Sequence, residues 1–506
     1  MKKNIIICSD GTGNTAVKNR GTNVFKLFEA IEQIQSTPQQ ISIYDDGVGS
    51  GTSKFSQVFG GAFGYGLSRN VKQLYTSLVR NYSADDNIYL FGFSRGAFTV
   101  RTLAGLVAKM GIIDRQKCQT DQELKELVEH TYRQYRWGQR ALLERILGFL
   151  FIRPKQFILS RFTNRKYLTQ SSELRKKFIS TTLSDEKLIH FIGVWDTVSA
   201  VGFPIPWVTY VFNKLIYRFS FSDNILPQKV KQAYQALSID EQRKTFSPEL
   251  WDQKDQADKN RINQIWFAGV HSNIGGGYPK QGMSLITLHW MMQKAENAGV
   301  KFITHDLELF NNKQNVHDKL YDSRKGLSIY YRFKPRNIYR LCQTHHVKAK
   351  IHSSAINRIF QGTDGYSPGN LPIDFEINDV QKHPCYFKDA SQLMSKLLNQ
   401  LGNKSSFLKT VVFWYAIRKF SHGVFFIVTL LALFDFYNNN KKLVEETAIS
   451  ELPTEFIKYA LFNQEINMST LMLIVGMLFY FVILYSKNKM KNKYSSFWHK
   501  LIALDQ

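Results

Sequence analysis

Five short apolar runs, each followed by polar or glycine-rich residues, constrain the fold of this chain more than any other feature of its sequence. Amphipathic stretches with helical spacing, such as Val71–Tyr82 and Thr99–Lys109, lie between several of them. Because short apolar runs bounded by turn residues are typical of buried strands, their alternation with helices predicts βαβ units. The sequence therefore predicts an α/β fold with a mostly parallel sheet and helical insertions. The predicted strands are Ile5–Cys8, Ile41–Tyr44, Asn87–Phe91, Leu188–Val194 and Gln264–Gly269.

Functional residues of such a sheet gather in the loops that follow the carboxyl ends of its strands. A serine, an aspartate and a histidine follow the third, fourth and fifth predicted strands in that order. The residues and segments at the five strand ends are Asp10-Gly11-Thr12-Gly13-Asn14, Asp45-Asp46-Gly47-Val48-Gly49, Ser94, Asp196 and His271. We expect the functional site in these loops.

The serine lies in the sequence Gly92-Phe93-Ser94-Arg95-Gly96, between an apolar run and a stretch with helical spacing. A G-x-S-x-G sequence at a strand-to-helix turn is typical of a serine nucleophile, because the strained turn and its crowded neighbours require glycine beside the serine. Ser94 is therefore a candidate nucleophile, with Gly92 and Gly96 as the glycines of the turn. The alternative is a serine that only shapes the turn.

A serine hydroxyl is a good nucleophile only when a base lies in hydrogen-bond reach and an acid orients that base. His271 is the predicted base, because it follows a strand and stands beside the glycine run 275–277. Asp196 is the predicted acid from the chain order of serine, aspartate and histidine. Three other carboxylates at strand ends stay open as the acid or as secondary polar groups, namely Asp10, Asp45 and Asp46.

An acyl transfer at this serine also needs donors for the oxyanion that forms on the substrate carbonyl. The backbone N–H of Arg95 is one candidate, because this residue directly follows the serine. The loop after the first strand, at Gly11 and Thr12, is the candidate for the second donor.

Motifs for cofactor binding do not accompany these residues. The glycine-rich sequence at 60–66 lacks an acidic residue at dinucleotide spacing, and no G-x-x-x-x-G-K-S/T sequence occurs. The adjacent carboxylates Asp45 and Asp46 are a weak metal signal. The sequence thus predicts neither a cofactor nor a metal.

The net charge of +25 over 506 residues favours an anionic partner. Nucleic acid is not predicted, since the chain has neither zinc-finger spacing nor the aromatic signature of an RNA-recognition module, and a membrane surface is favoured instead. No CxxC pair occurs, so neither a disulfide framework nor a thiolate metal site is indicated. The four cysteines are Cys8, Cys118, Cys342 and Cys385.

A change in composition past residue 400 predicts a catalytic domain over 1–400 and a membrane-anchoring region over 401–506. Within the catalytic domain we expect a basic helical insertion at about 118–185 and a second insertion at about 203–260. Residues 133–177 carry twelve Lys or Arg against two Glu, mixed with bulky apolar residues. This pattern fits either a membrane-facing segment or a solvated basic surface.

Two candidate transmembrane helices lie at about 418–437 and 466–486. Ile466–Ser486 contains no charged residue and is long enough to span a bilayer, whereas the uncharged stretch Phe420–Phe434 needs a few more residues to do so. Because Lys and Arg flank both outer ends, the sequence predicts a membrane hairpin with the catalytic domain facing the cytoplasm. Two buried core helices are the alternative.

Several long motifs in a fixed order give the chain a specific resemblance. They extend from about residue 4 to residue 372, over most of the chain. The sequence resembles the type VI secretion phospholipase effectors of the GxSxG class, and the wider group of proteins that share their α/β-hydrolase catalytic domain. The matching sequences are SDGTGN, YDDGVGSG, GFSRGAFTVRTLAGLV, GVWDTVSAVG, LSIDEQRKTFSPELW, GVHSNIGGGYP and IHSSAINR with GYSPGNLP.

The resemblance implies an α/β-hydrolase fold and hydrolysis of acyl esters in membrane glycerophospholipids, of phospholipase A type, by Ser94, Asp196 and His271. It also implies export as an antibacterial effector, with a secretion-apparatus carrier and an immunity protein as partners besides the phospholipid membrane. Two residues depart from the family pattern. Asn273 stands where the family usually has an acidic residue, and Leu285 stands where it often has Asp.

These observations together predict a membrane-bound serine lipase without a cofactor. Two other functions stay open. One is a membrane-tethered esterase or thioesterase that acts on a soluble acyl substrate, and the other is a membrane-anchored scaffold with a degenerate hydrolase fold.

Overall fold

The structure is a computed structural model of the chain. It describes residues 2–11, 21–47, 63–137, 176–183, 187–199, 224–372, 374–379, 404–447, 451–461 and 467–503. Most of the basic stretch 133–177, the first part of the predicted second insertion, Thr12 and Cys385 lie outside these residues.

The described strands form a single eight-stranded sheet in which every pair is parallel. The strands are β1 (Asn4–Ser9), β2 (Gln40–Asp45), β3 (Asn87–Phe93), β4 (Ile189–Trp195), β5 (Val230–Ser238), β6 (Ile262–Phe267), β7 (Lys350–His352) and β8 (Glu376–Asn378). Their order in the sheet is β2-β1-β3-β4-β5-β6-β7-β8. The predicted α/β class with a mostly parallel sheet is therefore confirmed.

Five of these strands correspond to the five predicted runs, and three others were not predicted. β5 escaped prediction because the exposed Lys231 and Gln232 interrupt its apolar pattern, although the rest of the strand is mostly buried. It lies within the range 203–260 of the predicted second insertion, and residues 230–238 of this range form a strand of the sheet. β7 and β8 have three residues each, too few to give a periodic signal.

Helices cover both faces of the sheet, which explains why its strands are apolar on both sides. The described helices of this part are α1 (Asn23–Glu29), α2 (Phe63–Asn81), α3 (Arg95–Met110), α4 (Asp121–Trp137), α5 (Ser180–Leu183), α6 (Gln256–Arg261), α7 (His271–Gly275), α8 (Gly282–Asn297), α9 (Thr304–Asn312), α10 (Ile338–Thr344) and α11 (Ser353–Phe360). On β1, Ile5 and Ile7 belong to one apolar cluster with α2, α3 and α4, whereas Ile6 and Cys8 belong to another with α1 and α8.

The chain divides into two compact units. The first unit contains the sheet and consists of Met1–Ser323, Lys334–Arg358 and Asn370–Cys385. The second consists of Arg324–Phe333, Ile359–Gly369 and Tyr386–Gln506. Arg324–Phe333 and Ile359–Gly369 thus belong to the second unit, although both lie within the range 1–400 of the predicted catalytic domain.

Two long helices dominate the second unit, α12 (Lys404–Asn439) and α15 (Met468–Ala503), with the short helices α13 (Lys441–Glu446) and α14 (Leu452–Leu461) between them. They pack antiparallel as a hairpin: Trp414 faces Tyr485, and Asp435 bonds to Ser469 at the other end. By length and composition, Lys409–Asn439 and Met468–Lys500 could each cross a membrane.

The two upstream segments of the second unit pack on this hairpin. The ring centroid of Phe333 lies 5.6 Å from the ring centroid of Tyr415 and 3.9 Å from the guanidinium of Arg418. In the other segment, the carbonyl of Pro368 accepts a hydrogen bond from the indole of Trp498 at 2.9 Å. The hairpin therefore fills the core of this unit together with chain that precedes residue 400.

Candidate active site

Ser94 lies at the sharp turn between β3 and α3, with φ 57° and ψ −119°, an unusual conformation for a residue with a side chain. The two flanking glycines are required by space. A Cβ atom at Gly92 would lie 2.7 Å from the Cα of Ala97, and one at Gly96 would lie 2.1 Å from the carbonyl oxygen of Ser9. The turn thus packs directly against the end of β1, and the G-x-S-x-G spacing follows from this contact.

His271 is the first residue of α7, just beyond the end of β6. Its Nε2 atom lies 2.8 Å from Oγ of Ser94. The imidazole sits between two aromatic rings, with centroids 4.7 Å away for Phe93 and 5.0 Å away for Phe246. These rings exclude water from the imidazole and hold its plane toward the serine.

Asp196 follows β4 and has a positive φ of 43°. Its Oδ2 lies 2.6 Å from Nδ1 of His271, and its Oδ1 accepts a hydrogen bond from the backbone N–H of Ser238 at 3.0 Å. The carboxylate is fully buried. Serine, histidine and aspartate therefore form one continuous hydrogen-bonded row along the carboxyl ends of β3, β6 and β4. Such a row can move a proton from the hydroxyl to the imidazole while the carboxylate stabilises the resulting charge.

Arg336 binds the aspartate at the end of this row, and no sequence pattern predicts this contact. Its Nη1 donates to Oδ1 of Asp196 at 2.6 Å and its Nη2 donates to Oδ2 at 2.8 Å, so it binds both carboxylate oxygens. The same two nitrogens donate to the carbonyls of Ser238 at 2.8 Å and Phe246 at 2.6 Å. Arg336 comes from the segment before α10, where no motif marks it, so only the folded chain identifies it.

Burial and neighbouring charge shift the pKa values of Asp196 and His271 in opposite directions. Burial opposes ionisation of Asp196, but the charge of Arg336 and the hydrogen bonds from His271 and Arg336 outweigh it and hold the pKa of this carboxyl well below its usual range. Burial lowers the pKa of His271, against the opposing influence of Asp196. The imidazole is therefore neutral at neutral pH, as a general base must be.

A second ion pair supports the backbone at His271. The fully buried Glu241 accepts a hydrogen bond from the N–H of His271 at 3.3 Å and pairs with Arg243 at 2.8 Å. The guanidinium of Arg243 lies 3.5 Å from the ring centroid of Phe246, which in turn faces the imidazole. Burial disfavours the ionised form of Glu241, but its bonds to Arg243 keep its pKa below the ordinary value. Both residues lie in the sequence DEQRKTF, which was part of the resemblance and was the signal that could have found them.

Asp10 and Gly11, the described residues at the start of the loop after β1, lie next to the turn of Ser94, but their polar groups bond elsewhere. The N–H of Gly11 donates to Oδ1 of Asp10 at 2.6 Å, and the other oxygen of this carboxylate accepts from the hydroxyls of Thr22 and, at 2.8 Å, Tyr44. Asp10 is thus bonded within the β1–β2 region, whereas Nδ1 of His271 faces Asp196.

The two adjacent carboxylates after β2 have different environments. Asp45 accepts hydrogen bonds from Ser9 at 2.8 Å and from Asn70 at 3.0 Å, and burial raises its pKa against these bonds. Asp46 is exposed. The structure gives neither of them a contact with His271.

The glycine run after His271 allows a close approach of backbone. A Cβ atom at Gly275 would lie 2.0 Å from the ring of Phe93, and one at Gly276 would lie 2.8 Å from the backbone nitrogen of Asn23. The positive φ of Gly276, 84°, also favours glycine. The run therefore lets α7 approach the ring beside the imidazole.

The two residues that depart from the family pattern have packing roles. The side chain of Asn273 donates to the carbonyl of Lys319 at 3.1 Å and accepts from the N–H of Tyr321 at 3.3 Å. Leu285 is buried in the apolar cluster around α8. Asn273 thus holds the segment near residue 320 and Leu285 fills the core.

The fold and this site define an α/β protein that presents a serine at a strand-to-helix turn within reach of a buried histidine. A family model described as the type VI secretion system phospholipase effector Tle1-like catalytic domain matches residues 3–294. The chain belongs to this family, as its sequence motifs predicted.

Two uncharacterized proteins are also similar to the chain. One, from Saccharomyces cerevisiae, is 27% identical over 259 residues, which cover 48% of this chain and 32% of the yeast protein. The chain thus matches about a third of the length of this relative. The other, known from a crystal structure, comes from Pseudomonas aeruginosa; it aligns with a TM-score of 0.35 and 15% identity, over 62% of this chain and 49% of its own.

Proposed function

We propose that this protein is a serine phospholipase of A type, which cleaves acyl esters of membrane glycerophospholipids. The observation that carries the proposal is the hydrogen-bonded row of Ser94, His271 and Asp196, at 2.8 Å and 2.6 Å, in a chain that belongs to a family of phospholipase effectors. The strained turn at the serine supports it, because such a turn holds the hydroxyl at the carboxyl end of its strand, within reach of the imidazole.

In the proposed reaction, Oγ of Ser94 attacks the carbonyl carbon of the ester while Nε2 of His271 takes the hydroxyl proton. The tetrahedral intermediate then collapses, the imidazolium gives this proton to the departing glycerol oxygen, and a lysophospholipid leaves. Water attacks the acyl-enzyme with His271 as base again, and the products are a free fatty acid and the restored hydroxyl. Asp196 stays ionised and stabilises the imidazolium in both steps.

The oxyanion of the intermediate needs donors that point at the carbonyl oxygen. We assign one donor to the backbone N–H of Arg95, the residue after the nucleophile. The N–H of Gly11 is engaged by Asp10. The second donor is proposed to come from the same loop, whose Thr12 lies outside the described residues.

The proposal places the second unit in a bilayer. The span Met468–Lys500 and the span Lys409–Asn439 support this, as do exposed apolar side chains such as Phe420, Phe434 and Phe481. By the bias of Lys and Arg at the outer ends, the hairpin would hold the catalytic unit on the cytoplasmic side of a membrane. Membership of the effector family favours export into a target cell, with a secretion carrier and an immunity protein as partners.

The test is a comparison of phospholipid vesicles with a short water-soluble ester, using the full chain reconstituted in detergent or lipid. We expect fatty acid and lysophospholipid release in equal amounts from vesicles, and its loss in Ser94→Ala. His271→Ala, which removes the proposed base, should also abolish this release. His305→Ala, which changes an exposed histidine, is its matched control and should keep the activity. Cleavage of the soluble ester without cleavage of vesicles would favour the tethered esterase, and no serine-dependent cleavage of either would exclude the proposed function.

A further inference from the structure

We propose that Arg336 is a positioning residue of this site, which fixes the Asp196 carboxylate through both oxygens and sets the basicity of His271. This inference rests on the proposed function and deepens it. It concerns a residue beyond position 294, where the match to the family model ends.

The geometry of the contact is that of a bidentate ion pair. Both terminal nitrogens of Arg336 donate to Asp196, at 2.6 Å and 2.8 Å, and both side chains are buried. The parallel, paired bonds leave the carboxylate no freedom to rotate, so Oδ2 stays aimed at Nδ1 of His271. The guanidinium is fixed in turn by its bonds to the carbonyls of Ser238 and Phe246.

The charge of the pair bears on the histidine. A lone buried carboxylate stabilises an imidazolium strongly, but the guanidinium compensates the charge of Asp196 on its far side. The other charged groups at His271 are Glu241 and Arg243, which pair with each other. Asp196 with Arg336, and Glu241 with Arg243, thus form two ion pairs around the imidazole, and no unpaired carboxylate faces it among the described residues. Burial lowers the pKa of His271, and the opposing influence of Asp196 and Glu241 does not outweigh it.

A purely structural role for Arg336 makes a different prediction. The guanidinium links the end of β5 to the segment that follows it, through the carbonyls of Ser238 and Phe246. A loss of these bonds alone would lower stability and uniformly reduce activity. The pH at which the histidine becomes protonated would then stay the same. The pH dependence of the reaction at the serine therefore separates the two roles.

The experiment measures the rate at which a fluorophosphonate labels Ser94 in the full chain between pH 5 and pH 9. This probe reports activation of the serine whatever the natural substrate is. For the wild type we expect the rate to fall only below the ordinary histidine pKa of about 6.5. Arg336→Gln keeps hydrogen-bond donors but removes the charge. We expect the acid limb, the low-pH part of the profile where the labelling rate falls, to shift to higher pH by about one unit. Labelling at low pH then drops roughly tenfold relative to its plateau. Arg336→Lys should restore the limb toward that of the wild type.

Arg261→Met is the matched control. Arg261 is a buried arginine that bonds to Asp258 and to the carbonyls of Pro227, Val230 and Leu226, so its loss should cost stability without moving the limb. An unchanged limb in Arg336→Gln, with only a uniform decrease like that of Arg261→Met, overturns the proposal. If Arg336→Gln does not fold, the pH profile of the wild type tests the proposal instead, because a wild-type acid limb at or above pH 6.5 also overturns the proposal. Wild-type protein that is never labelled would instead refute the proposed function itself.

Discussion

The backbone N–H of Ser94 donates a hydrogen bond to the carbonyl of Trp195 at 3.0 Å. The turn that carries the serine is therefore bonded to the last residue of β4, and Asp196 follows immediately. Because β3 and β4 are also paired in parallel register, the distance between serine and aspartate is set by backbone rather than by flexible side chains. His271, which follows β6, lies between the side chains of these two residues.

Loss of the serine hydroxyl should abolish hydrolysis and leave the fold intact. Ser94→Ala removes one oxygen from a turn whose backbone hydrogen bond to Trp195 does not depend on the side chain. In other enzymes with such a triad, loss of the nucleophile costs on the order of a million-fold in kcat. Fatty acid release from vesicles measures the effect, and a melting temperature equal to that of the wild type shows that the fold is kept. A variant with more than a few per cent of residual activity would contradict the assignment of the nucleophile.

Substitution of the strand-end carboxylates should identify the acid of the triad. Asp196→Asn should lower kcat by about four orders of magnitude, because the amide no longer selects the productive tautomer of His271. Asp45→Asn should have little effect on kcat, since its carboxylate bonds to Ser9 and Asn70. Kinetics on a soluble ester measures both. Near-normal activity of Asp196→Asn, combined with loss of activity in Asp45→Asn, would show that the acid is misassigned.

The turn itself should be intolerant of side chains. Gly96→Ala would place a methyl group 2.1 Å from the carbonyl oxygen of Ser9 and 2.4 Å from that of Asp10, both of them backbone atoms that cannot move aside. Overpacking of this kind costs about 1–3 kcal/mol or more. Gly277→Ala is the comparison, since a Cβ atom there meets nothing within 4 Å and only the backbone conformation is strained. Thermal unfolding should show a larger loss for Gly96→Ala, and equal losses would mean that the contact with β1 is not limiting.

Much of this site could be predicted from sequence because its parts follow buried strands. Ser94, Asp196 and His271 each come directly after an apolar run, and parallel strands bring their carboxyl ends to one edge. Arg336 could not be predicted this way, because it follows no strand and becomes part of the site only through long-range contacts. β5 was missed for a different reason, since the polar residues at its start hide a strand whose remaining positions are mostly buried.

The hairpin helices should be needed for the stability of chain that precedes them. Phe333 is 1% exposed and packs against Tyr415 and Arg418, and Pro368 accepts a bond from Trp498. Ending the chain at residue 403 would remove α12 and α15 and expose both segments. We expect a protein that aggregates without detergent. A soluble, monomeric and cooperatively unfolding product would show that these contacts contribute little.

The contact between the far ends of the two helices gives a milder test. The carboxylate of Asp435 accepts hydrogen bonds from the hydroxyl of Ser469 at 2.6 Å and from its N–H at 3.0 Å. Asp435→Ala leaves this helix start without its acceptor, which typically costs about 1 kcal/mol. The loss should appear as a lower melting temperature of the full chain in detergent, and no change would argue against this pairing of the helices.

The orientation of the hairpin makes the sharpest prediction for the second unit. If the uncharged parts of Lys409–Asn439 and Met468–Lys500 cross a bilayer, α13 and α14 lie on one side, and the lysines at 489, 491 and 493, in the polar last part of α15, lie on the other. Each crossing must be helical, because backbone groups without partners are excluded from lipid, and both segments are helical throughout.

Single cysteines placed in exposed positions of α13 and α14 should react with an impermeant thiol reagent from outside intact cells. Cysteines near residue 493 should react only after the membrane is opened, since Lys and Arg accumulate on the cytoplasmic side. Cys8, Cys118 and Cys342 are buried, and Cys385, which lies outside the described residues, is replaced by Ser in the parent chain to keep the background low. Equal protection of both positions in intact cells, with equal labelling in detergent, would mean that the helices do not span the membrane. The apolar faces of α12 and α15 would then be covered by protein instead, while the assignment of Ser94, His271 and Asp196 would be unaffected.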